Sequence, residues 1–284
     1  MLLADIHILH QSDIYKIVNY TCHCTVCSIS DAEYSDNFSI SFVKKGFFEY
    51  RTFRRNEEVH TGRILISKPG YEHTTRHIDQ QPDITTTIEF KKDFFRELCE
   101  KYDRGAEWFF TNYDIHSILV SSNAELEYLY YYILKKVKVG NTNTLELDEL
   151  VVTLLEKIIN ILINFSQPGN VADSFKKYHL VTAELARDYI LSHFQENISL
   201  QQLAQHCYIS AFHFSRIFKA IMNLSPHQFL SAVRLNHAKI LLETTELPVT
   251  NIAFDCGFNS LEHFVTSYKK RFSVTPSFYR GQTA

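Results

Sequence analysis

Three cysteines lie close together near the start of the chain, in the segment Cys22-His-Cys-Thr-Val-Cys27. Thiolates bind zinc and react with oxidants, and the Cys24-x-x-Cys27 spacing is one that zinc sites use. A structural zinc site needs a second pair of ligands, however, and no comparable half-site follows in the sequence. Cysteines that alternate along a strand also pack as small apolar residues. Packing is the favoured interpretation, and a redox or metal role for Cys22, Cys24 and Cys27 is left open.

The composition is that of a globular chain with two domains. Its 284 residues exceed the usual size of one domain, and 45% of them are hydrophobic against 21% charged. We expect neither a signal peptide nor a membrane span, because residues 1–10 lack a basic cluster and charged and amide residues interrupt the longest apolar stretch, 151–165. The six cysteines are therefore expected to be thiols in the cytoplasm.

Charge is distributed unevenly along the chain, whose formal net charge is -3. From Tyr178 onward there are 9 Lys and Arg against 7 Asp and Glu, whereas the rest of the chain has 20 against 25. The C-terminal part is therefore the basic one, but only slightly. The small surplus of positive charge is only weak support for nucleic-acid binding. The functional interpretation therefore depends on sequence patterns.

The first half predicts strands followed by helices. Short segments rich in branched and aromatic residues, punctuated by glycines, indicate a small β-barrel or sandwich over residues 20–90. The predicted strands are 38–43, 47–53, 62–66 and 84–90, and the predicted helices are 93–101, 124–137 and 145–165. The last helix carries an apolar stripe from Leu147 to Leu162, which either covers the barrel or forms a dimer interface.

The C-terminal part repeats itself. Segments 203–219 and 252–269 match at an offset of 49 residues, as from Ala204 to Ala253, and then at an offset of 50, as from Pro226 to Pro276. One residue is therefore inserted in the second copy, within its turn. Each copy has a short helix with a small alanine, a tight turn and a longer helix, which is the pattern of a helix-turn-helix.

Caps and aromatic anchors support this interpretation. Ser199 with Gln202, and Asn259 with Glu262, have the spacing of a capping box, which predicts where a helix begins. Each second helix has two aromatic residues four positions apart that can anchor it to the core: Phe214 and Phe218, and Phe264 and Tyr268. A single helix over 226–243 is predicted to join the two units.

This part of the chain resembles the DNA-binding domain of the AraC/XylS family of bacterial regulators. The first copy matches at Leu203-Ala204, Ser210, His213-Phe214, Arg216, Phe218-Lys219, Ser225-Pro226, Arg234-Leu235, Ala238 and Leu241-Leu242. The second matches at Ile252-Ala253, Gly257-Phe258, Phe264, Tyr268-Lys269-Lys270, Thr275-Pro276 and Tyr279-Arg280. Asn223 and Ser273 stand where the family usually has glycine, which predicts a local cost at both positions, larger for serine.

The resemblance implies that the second helix of each unit enters a major groove of DNA, with the two insertions roughly 34 Å apart on one face. The base-reading candidates are Ala211, Phe212, Ser215 and Arg216, followed by Leu261, Glu262, His263, Thr266 and Ser267. The candidates for phosphate contacts are Ser210, Lys219, Ser260, Lys269, Lys270 and Arg271. Arg216 can pair with guanine, whereas the family often has arginine where Thr266 stands, so we expect specificity to lean on the first helix.

The N-terminal half resembles, more loosely, the cupin-like sensor domains of this family, on Lys45-Gly46 and on the segment 62–73. A histidine at the position of His73 is a ligand in metal-dependent cupins, but the partner His-x-His expected near 34–38 is absent. We therefore expect no metal or other cofactor. His73 and His77 are expected to share a face only on a helix, which Pro69-Gly70 opposes. The candidate effector-pocket residues are Arg51, Arg63, His73 and Arg76.

The predicted fold class is α+β: a cupin-like barrel with appended helices over 1–165, a linker over 166–177, and an all-α domain of two helix-turn-helix units over 178–284. No Ser-His-Asp order or phosphate-binding glycine loop is present, so no enzymatic activity is expected. The favoured function is a cytoplasmic, homodimeric transcription activator that binds promoter DNA and RNA polymerase, with or without a small-molecule effector. The alternative is a cupin-type enzyme or a metal or redox sensor fused to the same DNA-binding module.

Overall fold

The structure, a computed structural model, describes residues 4–23, 29–53, 55–77, 82–101, 103–140, 143–165 and 173–283. The chain divides into two compact units, Met1–Glu184 and Leu185–Ala284. The predicted linker over 166–177 lies partly outside the described residues, and its last part, 173–177, is helical. Among the described residues, no helix combines the length and the apolar character that crossing a bilayer requires.

The described part of the first unit contains ten strands. They are β1 Ala4–Gln11, β2 Tyr15–Cys22, β3 Glu33–Ser35, β4 Phe38–Lys45, β5 Phe47–Arg51, β6 Asn56–His60, β7 Arg63–Ser67, β8 Tyr71–His77, β9 Ile84–Phe90 and β10 Ser117–Ser121. Helices α1 Lys92–Lys101 and α2 Asp103–Phe110 precede β10, and α3 Ala124–Val139 and α4 Thr144–Ile163 follow it. Helix α5, Asp173–His193, begins in the first unit and ends in the second.

The strands form two antiparallel sheets, ordered β1-β2-β9-β4-β7-β10 and β3-β8-β5-β6. The predicted strands correspond to β4, β5, β7 and β9, and the α+β class is confirmed. The predicted closed barrel is not formed within the described residues, because edge strands β1 and β10 each pair with a single neighbour. The two sheets are joined by a buried apolar cluster of Val43, Phe48, Tyr50, Val59 and Leu65. Ile40, Ile64 and Ile88 are buried on the opposite face of the larger sheet.

Helix α4 accounts for the apolar stripe that the sequence shows. Its residues Leu147, Val151, Leu155 and Ile158 are buried within the first unit, where α4 packs against α2 and α3. In α2 the indole N–H of Trp108 donates to a carbonyl oxygen of α4 at 3.2 Å. The stripe is thus buried against two helices of the same unit, so its apolar character needs no dimer interface to explain it.

The second unit is helical. After α5 it contains α6 Leu200–His206, α7 Ala211–Met222, α8 Pro226–Thr244, α9 Val249–Asp255, α10 Leu261–Phe272 and α11 Pro276–Thr283. Helix α8 confirms the long joining helix predicted over 226–243. A capping box at its start fixes its first turn, since Ser225 and Gln228 exchange side-chain-to-backbone hydrogen bonds at 3.0 and 3.3 Å.

Candidate nucleic-acid interface and effector pocket

The first helix-turn-helix consists of α6 and α7. Ser199 begins α6 through the predicted capping box: its Oγ accepts from the Gln202 N–H at 3.1 Å, and Gln202 Oε1 accepts from the Ser199 N–H at 2.8 Å. Ser210 begins α7, and its Oγ accepts from the His213 N–H at 3.4 Å. Each cap satisfies N–H groups that have no partner within the helix, so both helices start at a fixed residue.

The second helix-turn-helix consists of α9 and α10, and its N-cap differs from the prediction. Ser260 begins α10, and its Oγ accepts from the His263 N–H at 3.2 Å. The predicted capping box between Asn259 and Glu262 is therefore wrong. Because the helix starts one residue later, Glu262 is its second residue rather than the third, from which a capping-box side chain reaches back.

The turns of the two copies have the same hydrogen bonds. The Ile209 N–H donates to the Ala204 carbonyl at 3.0 Å, and the Phe258 N–H donates to the Ala253 carbonyl at 3.0 Å. Both alanines are fully buried, as close helix crossing requires. Ile209 therefore corresponds to Phe258, and the capping residue Ser210 corresponds to Ser260. Asn259, which lies between Phe258 and Ser260, is the inserted residue.

Helices α7 and α10 both end in a left-handed residue. Asn223 has φ 59° and Ser273 has φ 65°, at the two positions where the sequence departs from glycine. The Ser273 N–H donates to the Lys269 carbonyl at 2.8 Å, which closes the last turn of α10. The backbone conformation that the resemblance implies is therefore kept without glycine. Serine bears the larger steric cost, because asparagine visits this region more readily.

Replacing Ser273 with glycine is expected to raise the free energy of unfolding by about 1 kcal/mol. Glycine avoids the left-handed cost of about 1–2 kcal/mol, and its greater freedom in the unfolded chain offsets part of that gain. Urea unfolding followed by circular dichroism measures the change. Ser273→Ala keeps the steric cost and should show no gain, so an equal gain in both variants would contradict this explanation.

The outward faces of α7 and α10 form the candidate interface. Their inward faces are fixed as predicted, because Phe214, Phe218, Phe264 and Tyr268 are each 0% exposed. Of the base-reading candidates, five are exposed and four are half-buried: Phe212, Arg216, Glu262, His263 and Thr266, then Ala211, Ser215, Leu261 and Ser267. Of the phosphate candidates, Ser210, Lys219, Lys269, Lys270 and Arg271 are exposed and Ser260 is half-buried.

Three further observations concern the exposed faces of α7 and α10. The guanidinium of Arg216 lies 5.7 Å from the centroid of the Phe212 ring, so the two exposed side chains are neighbours on α7. The capping hydroxyls of Ser210 and Ser260 accept from backbone N–H groups, and each retains its own hydrogen as a donor. His213 was not among the predicted DNA contacts. It is exposed, and it occupies the position in α7 that His263 occupies in α10.

The first unit contains a cavity of about 720 Å³ whose lining is acidic. Its described lining residues include one lysine and five carboxylates: Lys16, Asp31, Glu33, Asp36, Asp83 and Glu89. Burial, and then the charge of Asp31, raise the pKa of the Glu33 carboxyl. Lys16 pairs with Glu89 at 3.0 Å, and the other four carboxylates leave the lining with a surplus of negative charge, which attracts cations.

The predicted pocket residues do not all meet. His73 lines the acidic cavity, and it also lines a neighbouring cavity together with Arg51. Arg76 lines neither cavity, because it is on the opposite face of β8 from His73 and pairs with Glu49 at 3.1 Å. Arg63 lines neither cavity and is buried in β7, where desolvation lowers the pKa of its guanidinium.

His73 and His77 share a face of β8, and both line the acidic cavity. The prediction that they share a face only on a helix is wrong, because residues four apart on a strand also point to the same side. Cys22, at the end of β2, lines the same cavity. Cys24 and Cys27 lie outside the described residues.

Comparison with known families concerns the second unit. Residues 203–282 match the family model described as "Helix-turn-helix domain". This range begins in α6 and ends in α11, so it contains both helix-turn-helix units and the helix that joins them. Residues 203–282 are an AraC-type helix-turn-helix domain. The resemblance on which the sequence analysis relied is thereby confirmed.

Two proteins named as HTH-type transcriptional regulators are similar to this chain over most of its length. An uncharacterized HTH-type transcriptional regulator of Staphylococcus aureus (strain COL) is 26% identical over 266 residues, which are 89% of this chain and 33% of that protein. This chain therefore spans about a third of the length of such relatives. The uncharacterized HTH-type transcriptional regulator YdeC of Bacillus subtilis (strain 168) is 23% identical over 249 residues, 86% of this chain and 84% of that protein.

Among solved structures, unsaturated fatty acid bound ToxT from Vibrio cholerae strain SCE256 covers 95% of this chain and 96% of its own length. The sequence identity is 12% and the TM-score is 0.43. That TM-score is below the level at which two whole folds are considered the same. The assignment of the AraC-type domain is therefore based on the family match over residues 203–282.

One residue of the AraC-type domain has a structural role that the motif alone does not reveal. Arg234 of α8 donates through Nε to the Phe194 carbonyl at 2.8 Å and through Nη2 to the Glu196 carbonyl at 2.7 Å. These carbonyls follow the last turn of α5 and need partners. Burial lowers the pKa of Arg234, and its two hydrogen bonds make the side chain an internal cap that ties α8 to the end of α5.

The charges of α10 in the AraC-type domain follow its helix dipole. Glu262 lies in the first turn, whereas Lys269, Lys270 and Arg271 lie in the last turn. Each placement stabilises the helix, typically by about 0.3–1 kcal/mol per charge. These four residues therefore stabilise α10 whether or not they contact DNA. Arg216, in the middle of α7, has no such placement at a helix end.

Proposed function

We propose that the chain is a sequence-specific DNA-binding transcription regulator whose α7 and α10 each enter a major groove. One observation carries the proposal: the two helices have matching caps, buried aromatic anchors and exposed opposite faces on a repeated scaffold. A helix held rigidly by one face and solvated on the other is the arrangement that reads DNA in helix-turn-helix proteins. The names of the relatives, which describe transcriptional regulators, support it.

The two helices contribute differently in this proposal. Arg216 pairs with a guanine and Phe212 contacts a thymine methyl from α7. Glu262 and His263 offer an acceptor and a donor from α10, with Thr266 beside them, and this set is weaker because it lacks a bidentate cation. The exposed cations at the ends of the two helices, Lys219, Lys269, Lys270 and Arg271, bind phosphates and fix the register.

The remaining elements of the proposal concern the whole regulator. The acidic cavity of the first unit is the effector site, and its lining favours a cationic ligand or a metal ion over an anion. The regulator acts as a homodimer and activates transcription through RNA polymerase. Its place of action is the cytoplasm, where promoter DNA is accessible.

Replacing Arg216 with alanine is expected to weaken binding to a selected DNA site by about 1–3 kcal/mol and to relax one base position. The reason is the loss of a bidentate contact that no neighbouring side chain replaces. Sites selected from random DNA by the full chain supply the probe, and fluorescence anisotropy at a stated salt concentration measures affinity.

Arg216→Lys is the matched control. Lysine keeps the charge but lacks the planar fork, so it should retain most of the non-specific affinity and lose the discrimination at that base. If the alanine variant selects the same sequence with unchanged affinity, Arg216 does not read a base. If the full chain selects no sequence at all, the proposed function itself is wrong.

A further inference from the structure

Three residues with metal-binding side chains meet at one end of the acidic cavity. Cys22 ends β2, Asp83 directly precedes β9, and these two are neighbours because the Cys22 N–H donates to the Asp83 carbonyl at 2.9 Å. His77 ends β8, which belongs to the other sheet. The cluster therefore joins the two sheets, and all three residues line the cavity.

The side-chain atoms of this cluster lie close together. His77 Nδ1 is 3.9 Å from Cys22 Sγ, and His77 Nε2 is 2.5 Å from Asp83 Oδ1. Each residue offers one ligand atom such that all three atoms lie within 4.8 Å of one another. The Thr85 hydroxyl donates to the other carboxylate oxygen of Asp83 at 2.7 Å, which orients that carboxylate toward the imidazole.

We propose that Cys22, His77 and Asp83 bind a zinc-like divalent metal ion. A thiolate, an imidazole and a carboxylate are the three ligand types that zinc accepts, whereas calcium and magnesium prefer oxygen ligands throughout. Tetrahedral zinc holds sulfur and nitrogen ligands roughly 3.5 Å apart, given bond lengths of about 2.3 and 2.0 Å. Cys22 and Asp83 lie against different nitrogens of His77, so one of these nitrogens binds the ion and the His77–Asp83 hydrogen bond opens as the ion enters.

The surroundings suit such an ion. Cys22 and Asp83 are both 8% exposed, so the ligands are withdrawn from bulk water. The ion takes the place of the Cys22 thiol hydrogen and of the His77–Asp83 hydrogen bond, and the thiolate and the carboxylate together offset its charge. Three protein ligands leave one position of the ion directed at the cavity, which is the arrangement of sites that take an external ligand.

This inference departs from the expectation of no metal and concerns a different site from the one that the sequence suggested. The spacing in the sequence pointed to Cys24-x-x-Cys27, which lies outside the described residues, whereas the ligands proposed from the described residues are Cys22 and two residues more than 50 positions away. It deepens the proposed effector site, which is the same cavity, but it does not depend on the proposed DNA binding, because the ligands all belong to the first unit.

Titration of the chelator-treated full chain tests the proposal. Zinc, followed with a competing chromophoric chelator, should bind with one equivalent per chain, and cobalt should give a thiolate-to-cobalt charge-transfer band. Cys22→Ser should abolish that band, and His77→Gln and Asp83→Asn should each weaken zinc binding by roughly tenfold or more. Asp83→Asn is nearly isosteric, so it remains informative if the cysteine variant does not fold.

Two controls separate this site from other thiols. Cys99→Ser removes a half-buried thiol in α1 and should leave the band and the affinity unchanged. A Cys24→Ser/Cys27→Ser double variant should also bind one equivalent of zinc with the band intact. The absence of stoichiometric binding by the parent chain overturns the proposal. A band that survives Cys22→Ser and disappears in the double variant overturns it equally.

Discussion

Replacing Gly257 with alanine is expected to destabilise the second unit by roughly 2–5 kcal/mol. Gly257 has φ +83°, and a Cβ added there would lie 2.7 Å from the Gln195 carbonyl oxygen and 2.9 Å from the Phe194 carbonyl oxygen. Backbone atoms cannot move aside as the end of a flexible side chain can. The turn between α9 and α10 is therefore held against the end of α5 by the absence of a side chain.

Tyr208 provides the matched control within the same chain. It occupies the equivalent turn of the first copy, has φ 57° and is 92% exposed. The repeated turn thus tolerates a side chain in the left-handed conformation where nothing lies close. Tyr208→Ala should change the free energy of unfolding by a few tenths of a kcal/mol, as exposed substitutions usually do.

Urea unfolding of the full chain, followed by circular dichroism, measures both variants. Gly257→Ala should also lose affinity for the selected DNA site, because the turn that it disturbs positions α10. Equal stability of Gly257→Ala and Tyr208→Ala would mean that the chain relaxes around the new Cβ, and the close approach would then have no energetic importance.

The contrast between these two turns shows which parts of the domain are readable from sequence. Caps, aromatic anchors and turns are local features, so the repeat predicted α6 to α10, and the resemblance implied the left-handed ends at Asn223 and Ser273. The error at Asn259 is also local. Asparagine and serine both cap helices, and only the backbone hydrogen bond to Ser260 decides between them.

The first unit was harder to predict because its contacts are long-range. Strand β1 was not predicted although Ile6 and Ile8 alternate with Asp5 and His7, and it is an edge strand whose side chains are largely exposed. The interpretation of His73 and His77 failed because helical periodicity was assumed where β8 has strand periodicity. The meeting of Cys22 with His77 and Asp83 depends on how two sheets are arranged, which no spacing in the sequence encodes.

Raising the pH from 8 to 10 is expected to destabilise the second unit by about 3 kcal/mol through two buried thiols. Cys207 and Cys256 are the C-caps of α6 and α9 and are equivalent in the repeat. Burial raises the pKa of Cys207 from 9.0 to about 11. Burial, then the charge of Asp255, raise the pKa of Cys256 to about 12, and Arg234 opposes this only partly.

The sign follows from proton binding. Above pH 9 the thiols of the unfolded chain lose their protons, whereas the folded chain keeps them until about pH 11 and 12. The unfolded state is therefore favoured as the pH rises, by up to about 1.4 kcal/mol per thiol at pH 10. Other groups titrate in the same pH range. Burial lowers the pKa of Lys68 in the first unit to about 8, so the titration of Lys68 stabilises the folded state as the pH rises, opposite to the effect of the thiols.

Comparison of variants isolates the thiols from these other groups. Cys207→Ala and Cys256→Ala lower the stability at pH 8 through lost packing, but each should remove about half of the thiol-dependent decline between pH 8 and pH 10. Urea unfolding at pH 8, 9 and 10 gives the slopes, and all other titrating groups cancel in the difference from the parent chain. Slopes that match the parent in both variants would show that the thiols ionise in the folded domain as easily as in the unfolded chain. The two C-caps would then be more open to water than their 7% and 0% exposure indicates.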